Sequence, residues 1–296
     1  MKNDQFLNVY KNKYFYKLHT KSFPKIIIFD LDETLGSFSL LNVLWRGLNQ
    51  VRTVALTNDN EQHEFNTLLD LYPEFIRYNI LHILEFLYEK KKEGLVEKIY
   101  IYTNNNCNPP WVSLISNYFD YKLKSEGTPI FDKAICAFKV NNKPLELSRT
   151  TYDKTYTDFI KCTMLPKSTE ICFIDNTYHK NMMSEKVYYI QPLAYYHHLQ
   201  PTTVLQRFYL SDKGKSFTHI FDKIESLYEY LNDWFLSNRV SFQAFTDSSN
   251  NVTDIFVSQK LMYHLRDFIY SNLRKKRTRK KMIRLGKMSR KKQNIV

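Results

Sequence analysis

Four short apolar runs constrain the fold of this chain more than any other feature. They cover residues 25–31, 98–104, 170–176 and 186–192, with cores IIIF, IYIY, ICFI and VYYI. Runs of β-branched and aromatic residues without polar alternation predict strands that are buried on both faces, as in a parallel sheet. A further candidate strand covers residues 134–140.

Helical patterns lie between these strands. Apolar residues recur at helical spacing over 75–92, where Gly94 is a plausible helix stop, and shorter helices are expected over 111–119 and 153–162. Strands that alternate with helices predict an α/β fold, with a mostly parallel sheet flanked by helices.

The pattern along the chain divides it into regions. Residues 1–24 form an N-terminal segment, either an edge element or a surface segment, and residues 25–200 form the α/β domain. Residues 37–70 interrupt the alternation and are interpreted as an insertion, either a small flap or a helix and loop. Residues 203–273 are mainly helical, and the basic tail 274–296 is expected to be disordered.

The net charge of +13 is concentrated in that tail, which has twelve Lys or Arg and no acidic residue. The rest of the chain has 31 basic residues against 30 acidic ones, which argues against a uniformly basic nucleic-acid coat. The tail has three open interpretations: a nuclear-localisation signal, an arm that contacts nucleic-acid phosphates, or a solvated tail.

Composition excludes several classes of protein. Only six glycines are present, and neither a P-loop nor a G-x-G-x-x-G motif occurs. Four cysteines without a C-x-x-C pair predict a reducing compartment rather than a disulfide framework. The absence of a long apolar run and of an apolar N-terminal segment predicts no membrane contact and an intracellular protein, cytoplasmic or nuclear, that is not secreted.

Polar side chains follow three of the apolar runs. Asp30 and Asp32 follow the first, Thr103 and Asn104 end the second, and the pair Asp175-Asn176 ends the third. Ligands of open parallel sheets bind beyond the carboxyl ends of the strands, so we expect these groups to face one ligand. Closely spaced carboxylates need a cation, a shared proton or a charged substrate, and Mg²⁺ meets that need with oxygen ligands.

The sequence Asp30-Leu-Asp-Glu-Thr-Leu35, followed by a strand ending in Thr, a lysine, and a strand ending in Asp, resembles the haloacid dehalogenase superfamily. Within it the chain resembles the phosphatases of the RNA polymerase II C-terminal domain, including the small ones. The segment beginning at Arg77 is similar to an Arg-Pro helix of that subgroup, although Tyr78 replaces the proline. The pattern also resembles phosphatase-like proteins of large DNA viruses.

The resemblance implies a Rossmann-like fold and a role for each matching residue. Asp30 would attack the phosphoryl group, forming an aspartyl-phosphate, and would ligate Mg²⁺. Asp32 would act as general acid and then base, and would bind Mg²⁺ through its backbone carbonyl. Thr103 would hydrogen-bond the phosphoryl oxygens, with Asn104 as a helper.

The remaining roles fall in the second half of the chain. Asp175 and Asn176 would complete the metal site. A lysine would neutralise phosphate charge, and Lys154 is preferred to Lys161 because it is expected at the start of the helix that precedes the strand ending in Asp175. His179, four residues after Asp175, could approach the site, but a surface or capping role is preferred for it.

Three functions remain open from the sequence. The first is a Mg²⁺-dependent phosphatase acting through Asp30 on phosphoserine or phosphothreonine of a protein. The second is a nucleic-acid end phosphatase on the same fold, with the tail 274–296 as the nucleic-acid contact. The third is a non-catalytic binding or scaffold protein that keeps the fold. The oligomeric state is not determined by the sequence.

Overall fold

The computed structural model describes residues 5–11, 15, 24–52, 58–106, 110–125, 127–219, 224–240 and 252–271. Six strands form one sheet: Leu7–Lys11 (β1), Lys25–Phe29 (β2), Lys98–Tyr102 (β3), Lys133–Ile135 (β4), Glu170–Ile174 (β7) and Val187–Pro192 (β8). Two short strands, Lys139–Val140 (β5) and Lys143–Pro144 (β6), form a separate hairpin, so the strand predicted over 134–140 is divided in two.

The six-stranded sheet has the order β1-β8-β7-β2-β3-β4, in which β1 is antiparallel and the other pairs are parallel. Counted along the chain from β2, the five parallel strands follow the order fifth, fourth, first, second, third. That order is the one found in Rossmann-like sheets, read from the opposite edge. The predicted α/β class with a mostly parallel sheet is confirmed.

The helices cover both faces of this sheet. They are Ser39–Val51 (α1), Asn58–Asp70 (α2), Ile80–Lys92 (α3), Trp111–Leu123 (α4), Tyr156–Thr163 (α5), Pro201–Leu210 (α6), Asp212–Lys215 (α7), Ile224–Ser237 (α8) and residues 252–271 (α9). Short 3-10 turns occur at Pro73–Phe75, Lys180–Met182 and Ser216–His219.

Alternate residues of the central strands supply two apolar clusters. Ile27 and Phe29 of β2 face the larger cluster with α1 to α4, whereas Ile26 and Ile28 face the smaller one with Phe159 of α5. Every residue of β2 and β7 is buried, because both faces of the sheet are covered. The continuous apolar runs follow from this double coverage.

Two helices begin later than predicted. The helix predicted over 75–92 begins at Ile80, because Asn79 takes a left-handed conformation with φ of 60°. The helix predicted over 153–162 begins at Tyr156, where the Thr155 side chain accepts the Asp158 N–H. Lys154 therefore lies in the preceding loop and not at the start of the helix.

The open alternatives for the regions have definite outcomes. The N-terminal segment supplies β1, which extends the sheet beyond the predicted domain boundary at residue 25. The insertion forms α1 and α2, not a flap of strands, and these helices pack against α8 and α4. The region after residue 203 is helical where it is described, and the tail 274–296 lies outside the described residues.

The cysteines differ from the sequence expectation in one respect. Cys136 is disulfide-bonded, whereas Cys162 and Cys172 are free and buried. Spacing along the chain did not indicate this bond. None of the helices in the described ranges is long and apolar enough to cross a membrane.

Candidate active site

Asp30 and Asp175 lie at the carboxyl ends of two neighbouring strands, β2 and β7. The Asp30 N–H donates to the carbonyl of Ile174 at 2.8 Å, which continues the strand pairing up to the two acids. From β2 the chain crosses to β3 on one side and later to β7 on the other. Ligands of such sheets bind at this switch point, so the fold itself selects this position.

A tight turn follows Asp30. Leu35 N–H donates to Leu31 O at 2.9 Å and Glu33 N–H to Gly36 O at 2.7 Å, with Glu33 in a left-handed conformation. Gly36 is required here, because a Cβ would lie 2.4 Å from the carbonyl oxygen of Phe75. The turn directs the residues after Asp30 back over the end of the sheet.

The side chain of Arg77 stabilises this turn. Its buried guanidinium donates to the carbonyls of Glu33, Thr34 and Leu193. Burial lowers the pKa of Arg77 to about 10, which leaves the group charged at neutral pH. The segment that resembles the family's Arg-Pro helix thus contributes an anchor for the first motif.

One lysine joins the two acids. Lys154 Nζ donates to Asp30 Oδ1 and, at 2.7 Å, to Asp175 Oδ2. The lysine side chain is 3% exposed, and those of Asp30 and Asp175 are 12% and 1% exposed. Lys161, the alternative, is exposed on α5. The structure therefore brings Lys154 and not Lys161 to the two carboxylates.

Two carboxylates share one lysine in this buried cluster. Burial lowers the pKa of Lys154, but the carboxylates of Asp30 and Asp175 outweigh it, so the pKa is raised and the ammonium is retained. Burial raises the pKa of Asp175, and Lys154 with His179 reverses the shift, so the net pKa is lowered. Burial raises the pKa of Asp30, Lys154 opposes the rise and Asp175 adds to it, so the net pKa is raised.

Asp32 occupies a different environment from Asp30. Its Oδ2 accepts a hydrogen bond from Asn105 Nδ2, and its pKa rises from 3.8 to about 7. Desolvation is the main cause, and the charges of Asp30 and Glu33 add to it. A carboxyl with a pKa near neutrality can both donate and accept a proton at physiological pH.

Thr34 connects the first and fourth motifs. Its Oγ1 lies 3.0 Å from Asn176 Oδ1 and 3.4 Å from Asp30 Oδ2, and it accepts the Asn176 N–H at 3.1 Å. The hydroxyl group of Thr34 therefore connects the side chains of Asn176 and Asp30. Sequence analysis listed Thr34 only as part of the motif and assigned it no role.

The second motif is arranged differently from the expectation. Thr103 is 2% exposed at the end of β3, and its Oγ1 accepts the Asn105 N–H at 3.1 Å. Asn104, predicted as the phosphate-binding helper, is exposed, and its Oδ1 accepts a hydrogen bond from Arg149 at 2.8 Å. Asn105 is the amide that contacts Asp32, because the turn after β3 directs the second asparagine toward β2.

His179 lies beside Asp175, which is the less favoured of the two roles predicted for it. Its Nε2 lies 3.3 Å from Asp175 Oδ2, and its side chain is 12% exposed. The spacing of four residues from Asp175 was noticeable in the sequence. What the sequence did not show is the 3-10 turn Lys180–Met182, which follows His179 directly.

Mg²⁺ is compatible with these donors. No group of three or more His, Cys, Asp or Glu side chains able to hold a metal ion occurs within the described part of the chain. Mg²⁺ does not need such a group, since one or two carboxylates with water and substrate phosphate often hold it. Asp30 and Asp175 converge on one ammonium, and Asn176 adds an amide oxygen nearby.

A comparison with known protein families and with curated proteins found no match to this chain. What the site does must therefore be inferred from its geometry and from the resemblance of its motifs.

Proposed function

We propose that this protein is a phosphatase of the haloacid dehalogenase type that forms a phosphoryl-enzyme intermediate on Asp30. The observation that supports this proposal most is the convergence of Asp30, Lys154 and Asp175 at the switch point of the sheet. Asp32, two residues after Asp30, adds an acid with a pKa of about 7. The strand order and the position of the site at the end of β2 agree with that fold.

The proposed reaction has two steps. In the first, a carboxylate oxygen of Asp30 attacks phosphorus, the bond to the leaving oxygen breaks, and protonated Asp32 gives its proton to that oxygen. In the second, Asp32 takes a proton from water, the resulting nucleophile attacks phosphorus, and the bond to Asp30 breaks. Inorganic phosphate leaves, and both aspartates return to their starting states.

The two aspartates are suited to these different tasks by their surroundings. Asp30 is held by the ammonium of Lys154, which favours its carboxylate form against the effect of burial. Asp32 has no such cation in direct contact among the described residues, and its pKa of about 7 lets it exchange a proton. Environments that separate the pKa values of paired acids are how one site performs nucleophilic and acid–base chemistry.

Phosphoryl transfer depends mainly on positioning and on neutralising charge. Lys154 would balance part of the charge on the transferring group, and the hydroxyl of Thr103 would donate to its oxygens. Mg²⁺, when bound, would supply further charge neutralisation. Asp30, Asp175, Asn176 and the backbone carbonyl of Asp32 are the groups that would hold it.

The proposed substrate is phosphoserine or phosphothreonine in a protein. The two helices of the insertion, α1 and α2, pack against α8 and α4, within the helical layer. Their residues contribute to the main apolar cluster, which supports a site without a large dedicated cap. An open site admits a macromolecular chain.

A substrate panel tests the function and its alternative. We expect the full-length chain to release phosphate from p-nitrophenyl phosphate and from a phosphoserine peptide with Mg²⁺, and to lose this activity in EDTA. Oligonucleotides with a 3′- or 5′-phosphate, assayed with and without residues 274–296, test the alternative suggested by the basic tail. Preference for the oligonucleotide, lost with the tail, would replace the peptide assignment. No turnover of any phosphoester would favour the non-catalytic scaffold.

The pKa of Asp32 predicts a pH-dependent stability in metal-free protein. The folded state binds the proton more tightly, with a pKa of about 7 against an ordinary value of 3.8. The folded state therefore holds more protons between these values, and the free energy of unfolding falls as the pH rises through them. We expect the free energy of unfolding, measured by urea titration at about pH 4.5 and 7.5, to fall less between these two pH values in Asp32→Asn than in the wild type. A variant that keeps the whole fall would place the titrating group elsewhere.

A further inference from the structure

Arg149 is a buried arginine that the sequence analysis did not single out. It is 1% exposed and lies in the loop between β6 and α5. Its terminal nitrogens donate to five acceptors: the carbonyls of Thr103, Cys136, Tyr152 and Asp153, and Oδ1 of Asn104. These distances run from 2.7 to 3.3 Å.

The acceptors belong to three segments of the chain. Thr103 and Asn104 follow β3, Cys136 follows β4, and Tyr152 with Asp153 leads directly into Lys154. The first two segments also pair through their backbones, and Arg149 joins both of them to the third. The guanidinium also lies over the ring of Tyr102, 4.9 Å from its centroid, and Lys154 Nζ lies 6.0 Å from the same centroid. Tyr102 in turn accepts the Thr155 N–H at 3.3 Å.

The bonds of Arg149 are not those of a typical ion pair. No carboxylate lies within salt-bridge distance of it in the described residues, and its Nε has no acceptor there. By contrast, Arg207 on α6 forms a two-pronged ion pair with Glu74. A buried guanidinium with an unpaired N–H carries a desolvation cost, so its five bonds to loop groups are its main compensation.

We propose that Arg149 is a positioning residue that fixes the Thr103 loop and the Lys154 loop relative to Asp30. This inference rests on the proposed function for its effect on rate, and on geometry alone for its effect on Lys154. Arg149 makes no contact with Asp30 among the described hydrogen bonds, so it acts through the residues it holds. A displacement of about 1 Å in a catalytic group costs on the order of 10²-fold in rate.

A double-mutant cycle separates positioning from general destabilisation. Arg149→Lys keeps the charge but replaces two terminal nitrogens by one ammonium. We expect kcat on p-nitrophenyl phosphate to fall about 10- to 100-fold with a smaller change in KM. In a Lys154→Met background the same change should cost no more than about 3-fold, because the charged group that Arg149 positions is already absent and only the effect through Thr103 remains. Equal losses in the two backgrounds would overturn the proposal.

A second measurement does not depend on activity. Acetylation of lysines by a water-soluble reagent, followed by mass spectrometry, reports how accessible Lys154 is. Lys25 is also buried, at 5% exposure, but lies at the amino end of β2, opposite the strand ends that carry the site, so it reports global opening. We expect Arg149→Lys to increase labelling of Lys154 while Lys25 and the Arg207→Lys control remain as in the wild type.

The outcomes are distinguishable from a failure of the proposed function. A wild-type protein without phosphatase activity, in which Arg149→Lys still exposes Lys154 alone, would refute the function and keep the positioning role. An active wild type in which labelling of Lys154 and Lys25 is unchanged, or rises equally, would refute the positioning role.

Discussion

Asp30→Asn is expected to abolish Mg²⁺-dependent release of phosphate from p-nitrophenyl phosphate, with a fall in kcat on the order of 10⁴-fold or more. The amide cannot serve as the attacking carboxylate. The amide has nearly the same shape as the carboxylate, and Lys154 keeps Asp175 as a charged partner, so the variant should remain folded. Steady-state kinetics and thermal unfolding of the same preparation check both parts.

The matched control is Asp212→Asn. That aspartate has a fully exposed side chain and pairs with Lys215 on the surface, so its removal should leave kcat and stability unchanged. Asp30→Asn with wild-type turnover would exclude Asp30 as the nucleophile. A loss of activity accompanied by unfolding would require the kinetics to be repeated below the melting temperature of the variant.

Lys154→Met should have the second large effect, on both rate and stability. Without the ammonium of Lys154, the carboxylates of Asp30 and Asp175 lose the cation that they share. Their side chains are only 12% and 1% exposed. Breaking a buried pair by removing one partner costs about 3–5 kcal/mol. We expect kcat to fall about 10²- to 10³-fold through lost stabilisation of transferring charge, a size seen when one such donor is removed.

The stability loss should depend on pH. In Lys154→Met the folded carboxylates bind protons more tightly than the unfolded ones, so the free energy of unfolding falls as the pH rises above about 4. Mg²⁺ should restore part of the loss at neutral pH. Lys161→Met is the control, because Lys161 is exposed on α5 and should tolerate the change. A Lys154→Met protein as stable as wild type in metal-free buffer at neutral pH would contradict the account of the cluster.

The sequence predicted those elements of the fold whose residue pattern is determined by burial. The four-residue cores of β2, β3, β7 and β8 are continuously apolar because both faces of the sheet are covered, so the sequence predicted their positions. The start of α3 was not predicted, because it depends on the left-handed Asn79. The sequence left open whether residues 37–70 form a small flap or a helix and loop. Helices α1 and α2 form there, and they pack against α8 and α4.

The sequence predicted those residues of the candidate site whose place in a motif determines their position in the fold. Asp30 and Asp175 each follow a strand directly, and Asp32 lies two residues after Asp30. Lys154 was selected because it was expected at the start of a helix, although it lies in the loop before α5. Asn105 and Arg149 were not predicted, because their roles depend on how three loops meet. An arginine in a polar loop has no distinguishing pattern in sequence, and only its burial reveals it.

The central claim is that the phosphoryl group is transferred to Asp30. The direct measurement is rapid acid quenching of the full-length protein during turnover of a phosphoester, followed by proteolysis and mass spectrometry. The account predicts an acid-stable, base-labile phosphoryl group on the peptide that contains Asp30, absent in Asp30→Asn. Turnover with the phosphoryl group on another residue, or with none on Asp30 in a reaction whose second step is rate-limiting, would contradict it.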